Sequence, residues 1–203
     1  MITIYFGRHG ETDLNREDRL RSWIDEPLNA DGIKEAEAMA KKMEKFPLNR
    51  IYTSDLDRAD KTARIVAKAH NLKPIPRQWF RPINYGEWNG KKVTDVKEEM
   101  QKLLDEWKTN PDKKAPGDGD SFTEFQDRFL GGLHAVINAA SGNEQIMILG
   151  HLRNCLLLWA VAKNGEPLKG DTLDLIDDKH FHQESGSVAK YEWDGSLQFK
   201  GII

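Results

Sequence analysis

Two apolar runs near opposite ends of the chain limit what it can fold into. The first, Ile2-Thr3-Ile4-Tyr5-Phe6, stops at Gly7-Arg8-His9-Gly10-Glu11-Thr12. The second, Gln145-Ile146-Met147-Ile148-Leu149, stops at Gly150-His151. Their β-branched, aromatic and apolar content reads as buried strand, and the glycines read as the turns that close it. Strands apolar on both faces belong to a parallel sheet covered by helices. Parallel strands put their carboxyl ends on one edge, where open α/β folds bind ligands. The pattern therefore predicts that His9 and His151 share a site, although 142 positions separate them.

Between the two runs the chain alternates strand and helix signals, which fits an α/β layered fold with a mostly parallel sheet. Residues 13–28 are polar and lack a period, so they read as a loop covering the site. Asn29-Ala30-Asp31-Gly32 opens a helix, with Ile33, Ala36, Ala40, Met43 and Phe46 as its apolar stripe and Pro47 beyond its end. Residues 50–53 are a short strand. Ser54 or Asp55 is expected to cap the next helix, whose inner face is Ala59, Ala63, Val66 and Ala67. Pro74 and Pro76 make 73–80 an edge strand.

Residues 93–107 carry Val93, Val96, Met100, Leu103, Leu104 and Trp107 on one helical stripe. The Pro/Gly/Asp-rich stretch 109–120 reads as a mobile surface loop. Ser121 caps a helix to about 140, with Phe122, Phe125, Phe129, Leu133 and Val136 inward. A helix follows His151 to about 163, and residues 186–203 form a hairpin turning at Asp194-Gly195.

The bulk properties exclude several classes. With 203 residues, the chain is expected to form one domain over 1–203. No run reaches the roughly 20 apolar residues needed to span a bilayer. The N-terminus enters a strand directly, so a signal peptide is not expected. Cys155 is the only cysteine. A reducing, cytoplasmic setting is the simpler expectation. The net charge of −3 disfavours a general nucleic-acid binder and leaves room for a local basic pocket.

Further landmarks join the Arg-His-Gly turn in order along the chain. They are Asn15; Pro27-Leu28-Asn29 with Gly32; Thr53-Ser54-Asp55-Leu56-Asp57-Arg58-Ala59; Asn84-Tyr85-Gly86-Glu87-Trp88-Asn89-Gly90; Asp120-Ser121; and Gly150-His151. With these, the sequence resembles the histidine phosphatase superfamily, the phosphoglycerate mutase-like proteins. The resemblance implies a three-layer α/β/α fold and an enzyme that hydrolyses small phosphomonoesters. His9 would be the nucleophile and form a phosphohistidine. Arg8 and Arg58 would hold the phosphoryl oxygens with planar, permanently charged forks, and His151 would be a further donor. Asn15, Arg21, Ser22 and Tyr85 would contact phosphate or the rest of the substrate. No metal or other cofactor is implied. A His-x-His at His180 and His182 lacks the further ligands a metal site needs.

Two positions depart from the family's pattern. The glutamate that protonates the leaving oxygen normally lies four residues before the glycine of the Tyr-Gly motif. Here that position is Pro82, which carries no proton. General acid catalysis is then weakened, or Glu87 substitutes from the next turn. Leu152 stands where many relatives have glycine. The alternatives to a phosphatase are phosphoglycerate mutase-type transfer and a non-catalytic module that binds a phosphorylated ligand. The sequence leaves the natural substrate and the oligomeric state open.

Overall fold

A computed structural model describes residues 1–170, 172–173 and 181–203 of the chain. Its centre is a six-stranded sheet in the order β3-β2-β4-β1-β5-β6. Strands β1 (Ile2–Arg8), β2 (Arg50–Thr53), β3 (Ile75–Pro76) and β4 (Gln145–Gly150) run parallel. The hairpin β5 (Val188–Trp193) and β6 (Leu197–Ile202) adds two antiparallel strands beside β1. It turns at Asp194-Gly195, as the sequence predicts, with Gly195 at φ +114°.

The strands alternate between two cores. Ile4, Phe6, Ile146 and Ile148 pack with α5 (Phe122–Asn138) and α6 (Leu152–Asn164). Tyr5, Ile51, Met147 and Leu149 pack on the other side with Met39 and Met43 of α2 (Ala30–Met43) and Ala63 and Val66 of α3 (Asp57–His70). The fold is thus α/β with a central, mostly parallel sheet between helical layers.

Several local expectations are corrected. The covering stretch 13–28 contains a one-turn helix, α1 (Asp13–Arg16), started by a Thr12–Asn15 capping box. On α2 the buried stripe is Gly32, Ala36, Met39 and Met43, while Ile33 is an exposed hydrophobic. Neither Ser54 nor Asp55 is the N-cap of α3. The cap position is Leu56, and the Asp57 N–H donates instead to Asp25 Oδ1 at 2.7 Å, a bond from the covering loop. The expected strand over 73–80 shrinks to two residues followed by a 3-10 turn. The stretch 109–120 is pinned rather than loose. Ala115 N–H donates to Asp120 O, Asp120 N–H to Asn84 O, and Trp107 Nε1 to Lys113 O.

The turn after β1 is fixed against the start of α2 by a close backbone approach. A Cβ on Gly10 would lie 2.3 Å from Gly32 O, and one on Gly32 would lie 2.0 Å from Glu11 O. Two glycines are therefore required for this packing. Asn29 N–H donates to Glu11 O, and Glu11 N–H donates to Glu35 Oε2. The loop that carries His9 cannot drift from the helix beneath it.

Candidate active site

The register of β1 on β4 aligns Arg8 with Gly150. His9 N–H donates to Gly150 O at 3.1 Å. The two strands therefore end together, and the His9 and His151 rings meet edge to face with centroids 5.1 Å apart. Both side chains are buried.

The His9 tautomer is set by its own turn. Nδ1 lies 2.6 Å from Gly10 O, so it carries the hydrogen and donates, leaving Nε2 as the basic nitrogen. Burial, and then the charges of Arg58, Arg21 and Arg8, hold the imidazole well below its ordinary 6.5, against the opposing pull of the Gly10 bond. His151 is held down by burial first and then by Arg58 and His9. Both of its ring nitrogens are buried without a hydrogen-bond partner among the described residues. Its backbone N–H donates to Asn154 Oδ1, whose amide in turn donates to Arg81 O.

Three guanidiniums surround this pair. Arg8 Nη1 donates to Gln183 O at 2.8 Å. Arg58 is buried on the first turn of α3, and its terminal nitrogens donate to Ile24 O and Ser22 O, both at 2.7 Å. Burial brings it down to about 10. Arg21 is lowered further, to about 9, by burial and then by Arg8 and Arg58. Guanidiniums gathered in a desolvated site, with Arg21 held down by both of its neighbours, mark a place arranged for an anion.

These five side chains line a cavity of about 620 Å³ together with Asn15, Ser22 and Tyr85. Asn15 Oδ1 is taken up in the cap of α1, which leaves Nδ2 for a ligand. The Tyr85 hydroxyl is buried without a partner. Ser22 lies in the left-handed region at φ +47°. Its hydroxyl donates to Ile83 O and accepts from Tyr85 N–H, so it is a strut between loops and not a phosphate ligand.

Glu87 is also corrected. It is exposed, it is not part of the cavity wall, and its side chain lies against Gly117. Among the described residues of the wall, Asp18 is the one carboxylate. Trp23 and Trp88, both in loops near the site, line no part of it. Trp23 instead lies between the Arg81 and Arg128 guanidiniums and donates from Nε1 to Pro82 O.

Sequence reasoning missed a whole wall. Val93, Met100 and Leu104 of α4 (Val93–Trp107) face the cavity, while Val96, Leu103 and Trp107 of the same stripe are buried in the core. The apolar stripe was visible, but its division between core and cavity was not. His182 also lines the cavity, whereas His180 lies outside the described residues.

The arrangement agrees with the chain's relatives. The profile of the histidine phosphatase superfamily (branch 1) matches residues 4–195. The chain belongs to this superfamily. It is 27% identical over 195 residues to the probable phosphoglycerate mutase GpmB of Yersinia pestis, covering 93% of this chain and 89% of that one. Bacillus stearothermophilus YhfR superposes with a TM-score of 0.78 at 29% identity, over 99% of this chain and 95% of that chain. A putative α-ribazole-5'-P phosphatase from Escherichia coli shares the fold, with a TM-score of 0.80 at 22% identity over 99% and 95% of the two chains. Pro82 and Leu152, the two positions where the sequence reading expects a departure from the family's pattern, both line the cavity.

The two depressed imidazoles have a consequence for stability. In the unfolded chain they bind protons near 6.5, while in the folded chain they resist protonation until well below that. Their contribution is whole above the unfolded value and is lost as the pH falls toward the folded ones. The thermal midpoint is expected to drop between about pH 7 and pH 5, and His151→Gln is expected to flatten part of that drop. Differential scanning fluorimetry checks this. A midpoint that rises over that interval contradicts two neutral imidazoles.

Proposed function

We propose that the protein is a phosphomonoester hydrolase that acts on a small phosphorylated metabolite through a phosphohistidine at His9. One observation carries this reading: a neutral imidazole, its Nδ1 hydrogen committed to Gly10 O, sits among Arg8, Arg21 and Arg58. A dianionic phosphoryl group offsets the crowded positive charge, and Nε2 has the lone pair that attacks phosphorus. The guanidiniums hold the non-bridging oxygens. His151, Tyr85 and Asn15 are positioned to add donors. The Nε2–P bond forms as the P–O bond to the leaving group breaks. Water then attacks phosphorus, the P–Nε2 bond breaks, and orthophosphate leaves. Ser22 serves the reaction by holding the Tyr85 backbone.

Pro82 favours a second reading, a module that binds a phosphorylated ligand without turnover. The name of the Yersinia relative points to a third, mutase-type transfer, but the missing glutamate disfavours it. p-Nitrophenyl phosphate separates turnover from binding, because its leaving group needs no proton. We expect rapid mixing of the phosphorus-labelled ester, followed by an alkaline quench, to trap label on His9. Orthophosphate should appear at the rate the label decays. Tight phosphate binding without any label on His9 would replace the hydrolase with the binding module.

A further inference from the structure

Of the three guanidiniums around the phosphate pocket, two are tied to backbone carbonyls and one is not. Arg8 reaches Gln183 O, and Arg58 reaches Ser22 O and Ile24 O. Arg21 lines the same cavity, but among the described residues no hydrogen bond or ion pair holds its side chain. The carboxylates of Glu26 and Asp18 attract it without bonding to it. A long arginine side chain carries much rotamer freedom. An unbonded one meets an anion in a defined place only if its main chain is well fixed.

That main chain is a tight turn. Ile24 N–H donates to Arg21 O at 2.8 Å, and Ser22 between them stands at φ +47°. Two of the groups that hold the turn, Arg58 and Ser22, themselves line the cavity. The third, the Trp23 ring, does not. Two guanidiniums lie over that ring, Arg81 at 4.8 Å and Arg128 at 5.3 Å from its centre. Both cations are fixed in turn. Arg81 is bidentate on Asp55 with two bonds of 2.7 Å, and Arg128 bonds Asp120 Oδ2 at 2.8 Å. Both ion pairs are mostly buried, and cation–π contacts strengthen as the cation loses water. Trp23 Nε1 and Arg128 Nη2 also donate to the same carbonyl, Pro82 O.

We infer that Trp23 is a positioning residue for Arg21: its ring, held by Arg81 and Arg128, sets the turn from which Arg21 reaches the phosphoryl group. The inference rests on the reading above, in which a phosphoryl group sits among Arg8, Arg21 and Arg58. Trp23 gives no atom to the cavity wall, so its effect on phosphate passes through a neighbour. Arg21, two positions away and without a bond of its own, is the neighbour most dependent on the turn. A donor displaced by about 1 Å can cost about 10² in rate.

The test is a double-mutant cycle read on two quantities, kcat/KM for p-nitrophenyl phosphate and the calorimetric Kd of orthophosphate. Trp23→Ala is expected to lower kcat/KM about 10²-fold. Arg21→Ala should lower it about 10²–10³-fold. The double variant should match Arg21→Ala within about threefold, because placement has nothing to act on once the guanidinium is gone. Orthophosphate Kd should rise in the same order. Trp23→Phe keeps a ring under both cations and loses the Nε1 bond, so it should recover at least about tenfold of the Trp23→Ala loss. If Trp23→Ala does not fold, Trp23→Leu takes its place in the cycle.

A Trp23→Ala that loses nothing, losses that simply add, or a Trp23→Phe no better than Trp23→Ala each overturn the inference. If the parent turns over no ester, yet binds orthophosphate with the two substitutions coupled, the hydrolase reading has failed and the positioning role stands. If the parent turns over the ester and the losses add, the hydrolase reading stands and the positioning role has failed. A parent that neither hydrolyses the ester nor binds orthophosphate ends both.

Discussion

His9→Ala is expected to reduce turnover of p-nitrophenyl phosphate by about 10⁴–10⁶, the scale on which covalent mechanisms lose activity with their nucleophile. The substitution removes the Nε2 lone pair and nothing else of the anion pocket. Arg8 and Arg58 are anchored independently of the ring, Arg8 on Gln183 O and Arg58 on Ser22 O and Ile24 O. Orthophosphate should therefore still bind, as calorimetry would show. The fold should also persist, because a buried base that resists protonation is being removed, and the single lost bond is to Gly10 O. Stopped assays on the purified variant, set beside its thermal midpoint, decide the matter. A rate close to that of the parent would remove His9 from the chemistry.

Arg58→Ala is expected to do two kinds of damage at once. One phosphoryl donor is lost, which typically costs about 10²–10³ in kcat. In addition, the carbonyls of Ser22 and Ile24 lose their partner, and a buried acceptor left unpaired costs about 1–3 kcal/mol. The covering loop that carries Arg21 and Ser22 then loses two of its bonds to α3 and keeps the one from Asp57 N–H to Asp25. Both kcat and the urea midpoint should fall. Arg58→Lys should restore part of the charge but not the two-carbonyl fork, so its stability should stay below that of the parent. A variant as stable as the parent would show that the loop is held elsewhere, chiefly by the Asp57–Asp25 and Ser22–Ile83 bonds.

What could be read from the sequence follows from what is local. The two strand-ending glycines and the parallel register were enough to bring His9 and His151 together, because strand direction and hydrophobic pattern are local properties. The inner face of α3 and the Ser121 cap of α5 were legible for the same reason. Several of the failures depend on contacts distant in sequence. Asp25 caps α3 from 32 positions away. The Ser22 hydroxyl is claimed by Ile83 and Tyr85, more than 60 positions on. Glu87 points away because Gly86, at φ +56°, packs against Pro116 O. The stretch 109–120 is polar in composition, yet Asn84 and Trp107 hold its backbone.

The strand order carries a consequence for how the molecule comes into being. β4 lies between β1 and β2, so the sheet joins those two strands through residues 145–150. A chain emerging from the ribosome holds Arg8, Arg21 and Arg58 well before it holds the pocket. Such long-range pairing is slow, because loop closure precedes its reward. The site is thus completed late, once β4 has brought His151 beside His9.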